Sequence, residues 1–128
     1  MPLFEAPYYE RCMLVTDDKH PGDLIAMGHI DYIIRKAVAL GADPVKAIKM
    51  GTLCCARCFG LKDRGAIMPG MRADLAVLED LKEIKVLEVY KDGCLAAKDG
   101  VCLGGKTFQR GELRRNSPKS LTPSIWMR

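Results

Sequence analysis

The sequence predicts an α/β fold with added β structure: a strand, then helices, then a series of short hairpin strands. Three observations carry this. A continuous apolar run, Arg11-Cys-Met-Leu-Val-Thr16, ends abruptly at Asp17, Asp18, Lys19, His20 and Pro21. Ile30, Ile33, Ile34, Ala37 and Val38 then fall at helical spacing on one stripe. Two Asp-Gly steps, Asp92-Gly93 and Asp99-Gly100, separate short apolar segments, a strong hairpin signal.

The first ten residues, with Pro2, Pro7 and two tyrosines, read as a lead-in. An unbroken apolar run such as 11–16 suits a strand buried on both faces, as in a parallel sheet. The acids, histidine and proline after it read as the loop leaving that strand's C-terminal end. The helix that follows carries Asp31 and Arg35 four apart on its polar side and stops at Gly41. Asp43-Pro44 opens a second helix, with an acid at the cap and proline where its missing N–H is harmless. Val45, Ile48 and Thr52 are expected to face inward. Gly51 costs about 1 kcal/mol against alanine inside a helix, which suggests close backbone approach there. This helix is expected to run through Ala56 to Phe59 and end at Gly60.

Beyond Leu61 the pattern turns to β. Ala66-Ile67 leads into a Pro69-Gly70 turn, and Ala73 to Leu78 is short and apolar. Val86 to Tyr90 alternates, and Cys94 to Ala97 and Val101 to Leu103 follow the Asp-Gly steps. The expected organisation is therefore residues 1–62 as a strand with helices, 63–103 as a small β unit, and 104–128 as a basic, extended or partly disordered tail.

Composition bounds the function. The 128 residues are 48% apolar and 28% charged, an ordinary globular balance with room for one modest core. The net charge of +4 belongs to the tail, where Lys106, Arg110, Arg114, Arg115, Lys119 and Arg128 face Glu112 alone. A basic tail can touch nucleic acid, but a solvated end is the commoner reading, and 6% aromatic content is thin for base stacking. Without a long apolar run or a signal-peptide pattern, a cytoplasmic chain with no membrane partner is expected. Its six cysteines (Cys12, Cys54, Cys55, Cys58, Cys94, Cys102) are then expected as reduced thiols, mostly small buried apolar residues. Cys55-x-x-Cys58 could suggest zinc, but Cys94 and Cys102 lie too far apart in sequence to complete a usual ligand set.

Thr16-Asp-Asp-Lys-His-Pro21, Gly28-His-Ile-Asp31, Ala42-Asp-Pro44, Phe59-Gly-Leu-Lys-Asp-Arg-Gly-Ala-Ile67, Pro69-Gly70 and Ala73-Asp74-Leu75 stand in an order that resembles the adenine deaminase branch of the amidohydrolase superfamily. The glycine and proline pattern from Gly65 onward points only to the superfamily. The Thr-Asp-Asp-x-His-Pro and Gly-His-Ile-Asp pair points to the adenine deaminases. The segment Asn116 to Pro123 resembles the family's connection into a later domain. One departure is Cys54-Cys55-Ala56, where the family commonly has Asn-Pro-Ala.

The resemblance implies the last strand–helix unit of a (β/α) barrel, followed by strands of a small β-sandwich domain. It implies hydrolytic deamination of adenine to hypoxanthine and ammonia, in a purine salvage role, by a divalent metal: manganese, with iron or zinc as alternatives. Asp17 is implied as the barrel's last metal ligand and as the catalytic proton carrier, at the strand end where such barrels hold their chemistry. Asp18, His20 and His29 are implied only in the surrounding site, as substrate contacts or supports of the ligands.

The family's site also needs a His-x-His pair and further ligands. This chain has two histidines and no such pair, so those ligands are expected upstream of Met1. One aspartate cannot hold two ions, and the chain alone is expected to be inactive and to bind no metal by itself. A single barrel unit would also leave apolar faces uncovered, so self-association or a missing barrel portion is the expected partner. Two other readings stand beside this one: a non-enzymatic self-associating module derived from an amidohydrolase, and a nucleic-acid binder acting through the basic tail.

Overall fold

The computed structural model describes Phe4 and residues 7–103. Four helices come first: α1 (Pro21–Met27), α2 (Ile30–Ala39), α3 (Pro44–Gly51) and α4 (Leu53–Cys58). A short 3₁₀ turn, Pro7–Arg11, precedes them. Four strands follow: β1 (Leu75–Leu78), β2 (Val86–Lys91), β3 (Cys94–Lys98) and β4 (Val101–Cys102). They form one antiparallel sheet in chain order.

The helix signals act as their chemistry predicts. Asp43 accepts the Lys46 backbone N–H at 2.9 Å and caps α3, and Gly41 leaves α2 at φ 94°. Gly51 lies under Ile34: a Cβ there would stand 2.9 Å from the Ile34 Cδ1, so glycine permits the close crossing of α2 and α3. The buried core gathers Ile34 and Ala37 of α2, Ala42, Ala47 and Met50 of α3 and its entry, Cys54 of α4, and Phe4. Ile84 joins this core from the β1–β2 connection at 2% exposure.

Four expectations need correction. Residues 12–16 have no regular secondary structure and form no strand, and Arg11 ends the 3₁₀ turn. A parallel strand exists by its neighbours' hydrogen bonds. Here the run meets the end of α3, where the Leu14 N–H donates to the Met50 carbonyl at 3.1 Å. Cys12, Met13 and Leu14 are half-buried against the core, while Val15 is 54% exposed. The phase of α3 also differs. Val45 and Thr52 are exposed, Ile48 is half-buried, and Ala47 and Met50 carry the buried stripe. The side chain of Lys46 reaches back to the Phe4 carbonyl at 2.8 Å and lies over the Tyr9 ring. That anchoring fixes the rotation of the helix.

The third correction is continuity. Backbone angles at Thr52 (φ −130°, ψ −86°) interrupt the helix between α3 and α4, and the Thr52 hydroxyl donates to the Ile48 carbonyl at 2.7 Å. The fourth concerns the cysteines. Cys54 is buried and Cys12 and Cys55 are half-buried, but Cys58, Cys94 and Cys102 are exposed. All six are free thiols.

Helix α1 is an element the sequence pattern does not announce. Pro21 occupies its first turn, none of its residues is buried, and Ile25 is 89% exposed. Its seven residues lack an apolar stripe of their own.

In the sheet, both Asp-Gly steps turn with positive φ at both residues: 51° and 78° at Asp92 and Gly93, 49° and 78° at Asp99 and Gly100. This is the twist that two-residue hairpins require. Glu88 faces Lys98 across β2 and β3 at 2.9 Å. The Asp74 carboxylate receives Lys91 and the Asp92 backbone N–H, pinning the start of β1 to the hairpin tip. The apolar pair Ala66-Ile67 lies in irregular backbone, not a strand. Where α4 meets residues 62–66, Gly65 adopts φ 97°, and a Cβ there would stand 2.7 Å from the Ala56 Cβ.

Residues 104–128, read above as a basic tail, and the Asn116 to Pro123 resemblance within them, lie outside the described residues. Among the described residues no helix is long and apolar enough to cross a membrane.

Candidate functional site

The segment after the apolar run 12–16 turns sharply. Asp17 takes φ 51°, a left-handed conformation unusual for a residue with a side chain. Asp17 and Asp18 are both exposed. The chain then enters α1, where the His20 Nδ1 accepts the Gly22 backbone N–H at 3.3 Å and caps the helix.

The next turn is built on Gly28 and Asp31. Gly28 has φ 92°, and a Cβ on it would stand 2.7 Å from the Asp31 Oδ2, so glycine is required on both counts. The Asp31 Oδ1 accepts the His29 backbone N–H at 2.8 Å, closing the turn into α2. This sets the His29 ring beside the first loop. A hydrogen bond of 3.0 Å joins the His29 Nε2 to the Thr16 hydroxyl, next to Asp17. Lys19 makes a second tie, donating to the Gly28 carbonyl at 2.7 Å with its ammonium 4.9 Å from the Tyr32 ring centre.

Of the four residues singled out from the sequence, the structure therefore brings His29 against the Asp17 loop through Thr16. His20 turns instead to the end of its own helix, and Asp18 has no side-chain partner among the described residues. Sequence reasoning missed Thr16, Lys19 and Asp31 as parts of this site. The signal was present: the two motifs that point to one family, Thr16 to Pro21 and Gly28 to Asp31, are the two segments these bonds join.

A second feature adjoins the site at Asp31. A groove of about 720 Å³ runs between the helices and the sheet, lined by apolar residues such as Ile30, Ile34, Leu53, Leu75 and Leu78. Neither Asp17 nor His29 lines it. It marks where the sheet packs incompletely on the helices.

Metal-binding capacity is limited by donors. Among the described residues, no three His, Cys, Asp or Glu side chains come together in a way that could hold an ion. Burial pushes the Cys54 and Cys55 thiols above their ordinary value, which favours the neutral thiol over the thiolate a metal needs. Both also donate to backbone carbonyls, Cys55 to Met50 at 3.1 Å and Cys54 to Tyr9 at 3.9 Å. Cys55 and Cys58 both lie on α4, the first half-buried and the second exposed.

Comparison with known proteins gives this geometry its context. The adenine deaminase of Petrotoga mobilis is 48% identical over 91 residues, covering 71% of this chain and 16% of that protein. The adenine deaminase of Desulfatibacillum aliphaticivorans is 44% identical over 100 residues, 78% of this chain and 18% of that protein. Adenine deaminase 2 of Carboxydothermus hydrogenoformans is 46% identical over 100 residues, with the same coverage of 78% and 18%. The match thus spans less than a fifth of these relatives' length. Residues 9–103 match the pattern of the amidohydrolase family, and this chain belongs to that family.

Proposed function

We propose that this chain is one part of an adenine deaminase, contributing the Asp17 loop to a site completed by other segments. The observation that carries the proposal is the identity of 44–48% to adenine deaminases, together with a family match over residues 9–103 that contains both joined motifs. The reaction is hydrolytic: water adds at C6 of adenine, the C6–N bond breaks, and hypoxanthine and ammonia leave.

Asp17 suits a proton carrier in that reaction. An exposed carboxylate held on a fixed turn can accept a proton from the attacking water and deliver it to the departing amine. Thr16 and His29 set the loop's position, while Asp18, His20 and the His29 ring are the candidate substrate contacts. The described residues offer one candidate metal ligand, Asp17, and do not form a metal centre by themselves. A divalent metal, manganese ahead of iron or zinc, would be held mainly by ligands that these 128 residues do not include. In fold terms residues 1–62 would be the closing strand–helix unit of a (β/α) barrel, and 63–103 strands of its small β domain. The apolar run 12–16 would pair as a strand once barrel neighbours supply its hydrogen bonds. A cytoplasmic enzyme of purine salvage fits this role.

The test is a graft. Residues 9–103 replace the matching stretch of the Petrotoga mobilis enzyme, and ammonia release from adenine is measured. The graft is expected to be active, and Asp17→Asn to lower kcat by roughly 100-fold or more, the usual scale of general acid–base catalysis. Asp18→Asn should cost far less. Full activity in the Asp17→Asn graft overturns the assignment.

A second reading has its own observation. Ile25 and Ile67 are 89% and 88% exposed and Phe59 69%, a large apolar exposure for a lone chain. A self-associating, non-enzymatic module would hide such residues in a discrete dimer and give an inactive graft.

A further inference from the structure

We propose that Arg35 is a positioning residue: acting through Asp31, His29 and Thr16, it holds Asp17 in its left-handed backbone conformation. A residue with a side chain at φ 51° sits in a sparsely populated region. Such a conformation persists only where the surroundings over-determine it. At Asp17 the surroundings are identifiable, bond by bond.

The loop is clamped on both sides of Asp17. Before it, Thr16 bonds to the His29 ring at 3.0 Å. After it, Lys19 donates to the Gly28 carbonyl at 2.7 Å. Both ties end on the same short turn, residues 28–29, so the loop is as fixed as that turn. The turn is in its place because Asp31 accepts the His29 N–H on one carboxylate oxygen and the Arg35 Nη2 at 3.1 Å on the other. With both oxygens engaged, the Asp31 carboxylate cannot rotate without breaking a bond.

Arg35 supplies the fixed end. Its Nε donates to the Glu83 carbonyl at 2.6 Å. Glu83 precedes Ile84, which is buried in the core at 2% exposure, and the backbone N–H groups of Lys82 and Glu83 are held by the Asp80 carboxylate at 2.6 Å each. The β1–β2 connection is therefore a firm anchor. A continuous hydrogen-bonded path runs from it through Arg35, Asp31 and His29 to Thr16. The Arg35 and Asp31 side chains are 35% and 30% exposed, so as a plain ion pair they are worth little. Their value is geometric: the planar guanidinium reaches two acceptors in two directions at once.

The positioning stands on this geometry alone; that the held carboxylate is the proton carrier rests on the function proposed above. The test is proton NMR on the full chain. A positive φ brings a residue's amide and Hα protons close, giving a strong intraresidue cross-peak. Asp92 and Asp99, at φ 51° and 49° in the hairpin turns, are internal references. In the unaltered chain the Asp17 cross-peak should match theirs. In Arg35→Met it should weaken by roughly two-fold or more as the residue relaxes toward extended backbone, with Asp92 and Asp99 unchanged. Arg35→Lys keeps the charge but reaches one acceptor at a time, and should rescue only in part. If Arg35→Met loses the reference peaks through unfolding, Thr16→Val, which cuts the path at its far end, carries the same expectation. An unchanged Asp17 cross-peak in the folded variants, or full rescue by Arg35→Lys, overturns the proposal. Either result leaves the ammonia assay of the Asp17→Asn graft standing, and an inactive graft leaves the NMR result standing.

Discussion

The sheet and the helical half of this molecule are built on opposite terms. In the sheet, every strand finds its partner a few residues away, across Asp92-Gly93, across Asp99-Gly100, or across the short β1–β2 connection. In the helical half, residues 12–16 have the composition of a buried strand but no strand beside them among the described residues. Their one ladder-like bond goes to the end of a helix, from Leu14 to Met50. Apolar composition asks for burial; the hydrogen bonds that make a strand must come from a neighbour. The hairpins carry their own neighbours, and the run at 12–16 does not.

The two halves meet at Ile84, and the sharpest way to break the comparison is there. Ile84→Ala should destabilise the chain by about 3 kcal/mol, as for other fully buried isoleucines. In urea unfolding, helix and sheet signals should fall together. A loss confined to the sheet would mean that the two regions are energetically separate.

A smaller effect is expected inside the sheet. Gly93→Ala places a Cβ at φ 78°, and should cost about 1 kcal/mol. The loss should show as faster amide exchange in β2 and β3, with α2 and α3 unaffected. Smaller still, Val15→Asn should change stability by less than about 0.5 kcal/mol, because Val15 is 54% exposed. A strand buried on both faces would lose several times that. In the Petrotoga graft the same change should be far more costly, if barrel neighbours cover the run there.

Acid separates the halves by a further route. The Asp74 carboxyl is held below its ordinary value of 3.8, first by the Lys91 ammonium and then by the Asp92 N–H. Glu88 is held below 4.5, first by Lys98 and then by the Tyr90 hydroxyl. Their folded forms bind protons less readily than the unfolded chain does. Their stabilisation is therefore full above those ordinary values and declines as the pH falls through and below them. Asp74 is exposed and Glu88 only half-buried, so the effect is modest. Amide exchange in β2 and β3 should accelerate relative to α2 between pH 6 and pH 3; an unchanged ratio would count against the cross-strand pairs.

How much of this was legible follows the same divide. The hairpin turns and the Asp43 cap were readable because each rests on chemistry within about four residues of itself. The Ile34 and Ala37 stripe was readable because a helix repeats its own face. The phase of α3 was not, since Phe4 and Tyr9, the partners of Lys46, settle it from outside the helix, and small residues such as Ala47 hide in a count of large apolar ones. The candidate site was half readable. Asp17 and His29 stood out by resemblance, but their connection through Thr16 depends on the turn at Gly28. The bond from Arg35 to Glu83 spans 48 residues. No local pattern announces a contact of that separation.

The central claim is that the Asp17 loop becomes chemical only in company, and ammonia release tests it most directly. The purified 128-residue chain, supplied with manganese and adenine, should release none above background. The same residues 9–103 grafted into the Petrotoga mobilis enzyme should support turnover that Asp17→Asn removes. Turnover by the chain alone, or a graft whose activity ignores Asp17, would contradict the account.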